Sequence, residues 1–162
     1  MAPRRTLESR PLDAFDLAIL RILQRDNKTP QRAIAEAVHL SSAAVQRRIA
    51  AMERTGVIAR NVAVVEPETL SLAITALVEV QLRDERASTV DAAKSLFRST
   101  PDVQQCYYVT GGVSFVLVIV SRDMRSYEAL TRRLFNENDL VQSFRSLIAL
   151  DRVKADTALV VP

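Results

Sequence analysis

The sequence predicts an α+β protein with a helical N-terminal third and a longer part in which strands and helices alternate. Apolar residues recur at helical spacing up to residue 54. From residue 73 onward, short segments that alternate between apolar and polar residues are separated by two further helical patterns. Because a chain of 162 residues fits two small domains, we expect one domain for each pattern.

The first predicted helix covers Leu12–Arg25, where Asp13 is well placed to cap the N terminus. Its apolar stripe consists of Phe15, Ile19, Ile22 and Leu23. A second, short helix is predicted with Thr29 as its cap and Pro30 as its first residue, because proline is tolerated in a first turn. His39 follows this helix and is interpreted as a turn or packing residue.

Ser41 is predicted to cap a third helix and Gly56 to end it. The buried stripe of this helix consists of Val45, Ile49 and Met52. Three short helices with a tight turn between the second and third predict a helix-turn-helix. Residues 57–65 alternate weakly and are predicted to form a small β-ribbon, which would make this a winged helix-turn-helix.

The polar stretch Glu66–Thr69 predicts a boundary between domains covering residues 1–65 and 66–162. The elements of the second domain follow one another as β-α-β-β-α-β, the order of a ferredoxin-like domain. They are Ala73–Leu82, Ala87–Ser99, Val103–Thr110, Phe115–Ser121, Met124–Asn136 and Phe144–Leu150. Residues 155–161 are compatible with a further edge strand.

The positive charge of the chain is concentrated in its first part. Residues 1–61 contain eleven Lys and Arg against six Asp and Glu, whereas residues 62–162 contain eleven against thirteen. Basic residues gathered in one third of a chain favour contact with nucleic acid. The alternative is that these side chains form an ordinary solvated surface.

In a helix-turn-helix, the second helix of the pair enters the major groove of DNA. Gln46 and Arg47 lie away from the predicted buried stripe and can form bidentate contacts to base edges. Other arginines are assigned to phosphates; they are Arg48, Arg54 and Arg60, with Arg4, Arg5 and Arg10 of the N-terminal arm. The predicted DNA-binding residues are Ser41, Ser42, Ala43, Gln46, Arg47, Arg48, Arg54 and Arg60.

Two other classes of function stay open at this point. The helix-turn-helix can be a protein-interaction or assembly module without an effector response, or the ferredoxin-like domain can carry an enzyme. Against an enzyme, the second half has no histidine and no paired carboxylates at suggestive spacing. No catalytic residue, cofactor or metal is therefore expected, since one cysteine and one histidine cannot form the usual kind of zinc site.

The single cysteine, Cys106, is interpreted as a core or interface thiol and is consistent with a reducing cytoplasm. The longest apolar run, Phe115–Val120, is far shorter than the roughly 20 residues of a membrane helix. The N terminus has basic residues with no apolar segment behind them, so no secretory signal is predicted. We therefore expect a cytoplasmic protein.

The strand Phe115–Val120 is apolar at every position, and therefore on both of its faces. Both helices of a β-α-β-β-α-β domain cover the same face of the sheet, because the crossovers are right-handed. The second face needs another cover, which a two-fold partner presenting the same patch supplies. The sequence thus predicts at least a homodimer.

Three stretches of the chain resemble the feast/famine regulators, the Lrp/AsnC transcription factors. They are LDAFDLAILRILQRD, RAIAEAVHLSSAAVQRRIAAMERTGVIAR and CYYVTGGVSFVLVIVSRDMRSYEAL. In the DNA-binding half, the positions that match are Ser41, Val45, Arg48, Ile49, Glu53, Gly56 and Ile58. The resemblance implies operator binding by the helix-turn-helix, and a ferredoxin-like domain that binds an amino-acid effector and forms dimers, often tetramers or octamers.

The resemblance places the effector near the glycine turn, where the family commonly has acidic residues in a pattern like Gly-Asp-x-Asp. Here the loop Thr110–Ser114 has no carboxylate, and Phe144 and Ser146 stand where a Thr-x-Thr pair is common. The implied effector-binding residues are Tyr108, Thr110, Gly111, Gly112, Ser114, Phe144 and Ser146. Because a buried ammonium group needs acceptors, we expect either an apolar or aromatic amino acid held by backbone groups, or no effector.

Overall fold

The computed structural model describes residues 11–162. The chain divides into two compact units: the first runs to Val64 and includes the C-terminal segment Ala155–Pro162, and the second is Val65–Lys154. The sequence-based division assigns residues 155–162 to the second domain instead. None of the helices within residues 11–162 is long and apolar enough to cross a membrane.

Three helices form the first unit, as predicted: α1 (Ala14–Leu23), α2 (Gln31–Val38) and α3 (Ser42–Arg54). Their shared core consists of Ile19, Ile34, Ala35, Val38, Val45 and Met52. Phe15 was expected in the apolar stripe of α1 but is 43% exposed, and the guanidinium of Arg48 lies 5.5 Å from the centre of its ring. Phe15 therefore covers a charged side chain rather than contributing to the buried core.

Two of the predicted helix starts are confirmed. The Asp13 carboxylate accepts from the Asp16 N–H at 2.9 Å, while the Asp16 carboxylate accepts from the Asp13 N–H, which makes a reciprocal capping box. The Ser41 hydroxyl accepts from the Ala44 N–H at 3.2 Å at the start of α3. Gly56 follows the end of α3 with a φ of 77°, a left-handed conformation that glycine adopts without strain.

The predicted start of the second helix is wrong by one residue. Pro30 is the N-cap of α2, with no side-chain cap, and Gln31 is the first helical residue. The Thr29 hydroxyl donates to the Asp26 carbonyl at 2.7 Å, so it closes the preceding turn instead of capping the helix. His39 ends α2 with a φ of 55° and is a turn residue, as predicted.

Two predicted strands are absent from the described residues. Residues 57–65, expected to form the β-ribbon of a wing, adopt no strand, and the segment has no glycine at which a hairpin could turn tightly. Residues 155–161 are not an edge strand either. Their backbone is bound by the residue that follows α1: the Gln24 amide donates to the Leu159 carbonyl at 3.0 Å and accepts from the Leu159 N–H at 2.7 Å.

The second unit has the predicted order of elements. They are β1 (Ile74–Leu82), α4 (Ala87–Ser99), β2 (Val103–Tyr108), β3 (Phe115–Ser121), α5 (Met124–Thr131) and β4 (Val141–Ile148). A π-helical turn, Arg132–Asn136, continues α5. The four strands form an antiparallel sheet in the order β2-β3-β1-β4. This arrangement confirms the ferredoxin-like fold.

One face of the sheet packs against α4 and α5. Its central side chains, fully buried, are Ala76, Val78, Val80, Phe115, Leu117 and Ile119. Phe97 of α4 contacts Phe115 edge-on, with ring centres 5.3 Å apart, and Phe135 at 6.2 Å in the same way. Such aromatic pairs stabilise a core beyond the area they bury.

The opposite face of the sheet is apolar and partly exposed, as the alternation in β3 predicted. Val116, Val118 and Val120 are half-buried there, and Leu77 is 40% exposed. A polar pair interrupts this face: the Arg145 guanidinium donates two hydrogen bonds to the Glu79 carboxylate on β1, at 2.9 and 3.0 Å. We call this surface the open sheet face.

Candidate nucleic-acid interface and effector site

Helix α3 presents one continuous exposed face. Val45 and Met52 point into the core of the first unit. Successive residues of a helix are separated by about 100°. The side opposite the core therefore carries the side chains that were predicted to contact base edges, and the small residues that would let the helix backbone approach the bases. The exposed residues on this side are Ser42, Ala43, Gln46, Arg47 and Ala50.

Arg48 has a different environment from the other arginines of the predicted interface. Its Nη1 atom lies 2.8 Å from an Asp13 carboxylate oxygen and 2.7 Å from one of Asp16, and its side chain is 21% exposed. The hydrogen bond to Asp16, followed by the one to Asp13, raises the pKa of Arg48 above its ordinary value. Within this chain, Arg48 therefore forms an ion pair that joins α3 to the start of α1, and its contact with phosphate stays a prediction.

The remaining basic residues of the predicted interface are placed as follows. Arg54 and Arg60 are exposed near and beyond the end of α3. The arm residues Arg4, Arg5 and Arg10 lie outside the described residues. Within residues 11–162, the predicted phosphate-binding set therefore consists of two exposed arginines, Arg54 and Arg60, and the ion-paired Arg48.

The loop between β2 and β3 is a glycine turn, as predicted. Gly111 and Gly112 have φ values of 109° and 101°, and a Cβ atom on either would meet no other atom within 4 Å. The Val109 N–H donates to the Ser114 carbonyl at 3.0 Å and closes the turn. Thr110 is exposed. The loop thus borders open space at one end of the sheet.

A carboxylate from another part of the chain reaches this loop. The Tyr108 hydroxyl donates to one carboxylate oxygen of Glu85 at 2.9 Å, and the Ser114 hydroxyl donates to the other. Ser114 is 1% exposed, and its oxygen accepts from the Leu82 N–H at 3.0 Å. The hydrogen bond to Glu85 raises the pKa of Tyr108. We call Glu85, Tyr108 and Ser114 the Glu85 cluster.

Sequence reasoning missed Glu85. It lies in the connection between β1 and α4, 29 residues before Ser114, and nothing in the spacing of the two residues indicates that they meet. They come together because β1 and β3 are neighbours in the sheet, with Val80 opposite Phe115. The carboxylate that the glycine loop itself does not have is supplied by a different loop.

Two of the predicted effector residues are not brought to the Glu85 cluster. Phe144 and Ser146 lie on β4, and the strands β3 and β1 separate β4 from β2. The Phe144 ring packs on that of Phe135, with centres 4.7 Å apart, and the Ser146 oxygen accepts from the Tyr127 hydroxyl at 2.5 Å. Within one chain, both side chains pack under α5 and its continuation rather than line the loop.

The comparison with known families covers both units. The model of the AsnC-type helix-turn-helix domain matches residues 12–53, and that of the Lrp/AsnC ligand binding domain matches residues 75–159. The chain belongs to the Lrp/AsnC family. An HTH-type transcriptional regulator of Sinorhizobium fredii, described as uncharacterized, is 40% identical over 148 residues, which cover 91% of this chain and 88% of that protein.

Other Lrp/AsnC relatives have more specific descriptions. A proline dehydrogenase transcriptional activator from Rhodobacter capsulatus is 31% identical over 142 residues, covering 88% of this chain and 92% of that protein. An AsnC family regulator from Agrobacterium tumefaciens has a TM-score of 0.85 at 29% identity, covering 91% of this chain and 96% of the other. A regulator from Neisseria meningitidis in complex with L-Met has a TM-score of 0.83 at 27% identity, with the same coverage.

These matches decide between the classes of function that the sequence left open. The relatives are transcriptional regulators, some of them described as activators. This Lrp/AsnC protein is therefore a DNA-binding transcriptional regulator, with a helix-turn-helix and a ligand-binding domain. An enzyme carried by the ferredoxin-like domain has no support among the relatives.

A groove of about 440 Å³ runs between α4 and β2, beside the Glu85 cluster. Its lining residues are Lys94, Phe97, Arg98, Val103, Gln104, Cys106, Tyr108 and Phe115. Cys106 is exposed and lines this groove, so it is not a core thiol; its interpretation as an interface thiol stays a prediction. Partial burial raises the pKa of Cys106, while the charges of Arg98 and Lys94 lower it by less.

Alkylation of Cys106 by iodoacetamide should be slower than that of glutathione at neutral pH, because a raised pKa leaves less of the reactive thiolate. The rate should keep rising as the pH passes the ordinary pKa of a thiol. Mass spectrometry at a series of pH values gives the alkylation rate. The Cys106→Ser variant, which has no thiol, is the control for reaction at other residues. If the rate for Cys106 reached its plateau at a lower pH than the rate for glutathione, the prediction would be contradicted.

Proposed function

We propose that this Lrp/AsnC regulator reads double-stranded DNA with α3, using Gln46 and Arg47 on base edges and the backbone near Ser42 and Ala43 for close approach. The observation that supports this assignment is the exposed face of α3, where these side chains stand on a helix held by a capped helix-turn-helix. Arg54 and Arg60 contact phosphates. Arg48 holds α3 against α1.

Arg47→Ala should weaken sequence discrimination. A bidentate contact to guanine contributes about 1–3 kcal/mol at one base position, so the ratio of affinities for a preferred and a random duplex should fall by about 5- to 150-fold. Arg54→Ala and Arg60→Ala should instead weaken binding to both duplexes alike and lower the dependence on salt. The preferred duplex is obtained by selection from a random pool with the wild-type protein.

Titration of each variant with both duplexes at several salt concentrations separates these outcomes. Arg32→Ala on α2 is the matched control, because Arg32 is exposed and paired only with Glu36 of its own helix, at 3.1 Å. If Arg47→Ala leaves the affinity ratio unchanged, Arg47 does not contact a base. If Arg54→Ala changes the ratio, its assignment to a phosphate is wrong.

We further propose a homodimer that forms through the open sheet face. Three half-buried valines of β3 together with Leu77 of β1 and Leu147 of β4 make this face apolar, and a second copy supplies the same apolar surface across a two-fold axis. Such a dimer carries two recognition helices for two half-sites of the operator. Family membership supports oligomeric assembly in general.

We also propose that an amino acid modulates this regulator at the end of the sheet formed by the loop Thr110–Ser114. The support comes from the match of residues 75–159 to a ligand binding domain and from the L-Met complex of the Neisseria meningitidis relative. Of the predicted effector residues, Tyr108 and Ser114 meet at the Glu85 cluster. Capture of bound DNA across the genome, with and without a mixture of amino acids, tests this response directly.

A further inference from the structure

We propose that the ion pair of Glu79 and Arg145 makes the open sheet face selective for a second copy of this chain over other Lrp/AsnC chains. In this assignment Glu79 contacts Arg145 of the partner subunit, and Arg145 contacts Glu79 of the partner subunit. The proposal rests on the homodimer proposed above and names the groups by which that dimer selects its partner. We call the two residues the Glu79–Arg145 pair.

The Glu79–Arg145 pair adjoins the apolar side chains of the open sheet face. Glu79 is on the inner strand β1, with Val116 of β3 on one side and Arg145 of β4 on the other. Two residues earlier on β1, and therefore on the same face, Leu77 lies opposite Val118. A second copy that covers these apolar side chains therefore covers the charged pair as well.

One chain alone gains little stability from this pair. The Arg145 side chain is 67% exposed and that of Glu79 is 28% exposed, and an ion pair that remains in contact with water stabilises a fold only slightly. When a second copy covers the face, both charges lose water, and this loss weakens association unless new partners replace the water. The pair therefore favours a partner surface that carries matching charges.

Both members of the pair keep hydrogen-bonding capacity for such a partner. Arg145 donates to Glu79 through Nε and Nη2, and its other guanidinium N–H groups make no hydrogen bond within residues 11–162. A carboxylate has about four acceptor positions, so Glu79 can accept from a second cation. Two residues farther along β1, the buried Gln81 Oε1 atom accepts no hydrogen bond from residues 11–162. This part of the face therefore carries polar groups that one chain does not fully satisfy.

A two-fold axis makes the pair complementary to itself. In an interface of this symmetry, if one residue contacts a second residue of the other copy, the second residue also contacts the first. One positive and one negative charge on neighbouring strands can therefore each meet an opposite charge of the same chain type. A family member with like charges or apolar residues at these positions would leave buried charges unpaired, which disfavours a mixed dimer.

Charge reversal in the full chain tests the proposal. Glu79→Arg and Arg145→Glu each place like charges opposite one another across the two-fold axis. Each variant alone should dimerise at least about 10-fold more weakly than the wild type, since a charge-assisted contact contributes that much or more. An equimolar mixture of the two variants should form a heterodimer, because opposite charges then meet again. The double variant Glu79→Arg/Arg145→Glu should dimerise with itself but exchange poorly with the wild type.

Analytical ultracentrifugation gives the dissociation constants, and native mass spectrometry of copies with different masses shows which chains pair. The matched control is the same reversal in an exposed pair on the other side of the sheet, Glu128→Arg with Arg132→Glu on α5 and its continuation. It should change neither dimerisation nor exchange with the wild type. Circular dichroism checks that all variants are folded.

Single variants that dimerise like the wild type, or a mixture that dimerises no better than either variant alone, overturn the proposal. Free exchange between the double variant and the wild type also overturns it, and this readout stays valid if a single variant unfolds, because the double variant restores an ion pair within the chain. If Val118→Asp is monomeric while the charge variants behave like the wild type, the proposed dimer stands and only its selectivity through the Glu79–Arg145 pair fails.

Discussion

Val118→Asp should convert the proposed dimer into a monomer at micromolar concentration. Val118 is half-buried on β3, with Leu77 of β1 and Gln105 of β2 opposite it in the sheet. It therefore lies in the middle of the open sheet face. A carboxylate introduced there would lose its water on dimerisation without gaining a partner, which costs several kcal/mol and weakens association by about 1,000-fold or more.

Size-exclusion chromatography with light scattering measures this change. Val153→Asp is the matched control, because Val153 belongs to the same unit but is 88% exposed and lies outside the sheet; it should remain a dimer. Circular dichroism checks that both variants are folded. A wild-type protein that is monomeric, or a Val118→Asp variant that is as dimeric as the control, would show that this face is not the interface.

The monomer should also bind an operator less tightly than the dimer. Two half-sites are bound together only when two recognition helices are joined. We expect Val118→Asp to retain weak, salt-dependent binding to any duplex, since α3 belongs to the other unit and is not altered.

Arg48→Ala should lower the free energy of unfolding of the first unit by about 2–3 kcal/mol. The Arg48 guanidinium contacts the Asp13 and Asp16 carboxylates together, and Asp16 is 4% exposed. These two residues also form the capping box that starts α1. The substitution removes the charged link between the recognition helix and α1, and the cation over the Phe15 ring is lost with it.

Urea denaturation followed by circular dichroism gives the change in stability. Arg47→Ala on the same helix is the matched control; Arg47 is exposed, so its loss should change stability by no more than about 0.5 kcal/mol. Arg48→Lys should recover only part of the loss, because an ammonium group does not reproduce the fork of a guanidinium. Equal stabilities of Arg48→Ala and Arg47→Ala would mean that the ion pair is not stabilising.

Features that depend on residues close together in the chain were predictable from the sequence. Helix α3 is an example: Ser41 caps it, Val45 and Met52 define its buried side, and Gly56 follows its end. The succession of strands and helices along the second unit and the turn at Gly111 were predicted for the same reason. Each signal is local, since it relies on helical or strand periodicity or on the conformations that one residue allows. The family was identified from the same segments.

Local patterns gave wrong predictions for two segments that were expected to form strands. The sequence of residues 155–161 is compatible with an edge strand, yet the Gln24 side chain pairs with the backbone of Leu159. Residues 57–65 alternate weakly but form no strand; the Ile58 N–H donates instead to the Met52 carbonyl at 3.1 Å. A strand is stable only when a neighbouring strand accepts its hydrogen bonds, and the sequence of one segment does not say whether such a neighbour is present.

Only the tertiary structure decided the partners of the charged groups. Arg48 has the charge and the position expected of a phosphate contact. Its partners Asp13 and Asp16, however, lie at the start of α1, 35 and 32 residues earlier in the chain. Glu85 reaches Tyr108 and Ser114 because β1 and β3 are adjacent in the sheet. A charged side chain binds whichever opposite charge or donor the fold brings within about 3 Å. The sequence by itself therefore determined the elements and the family of this protein, whereas the fold determined which of its charged side chains remain available to a ligand.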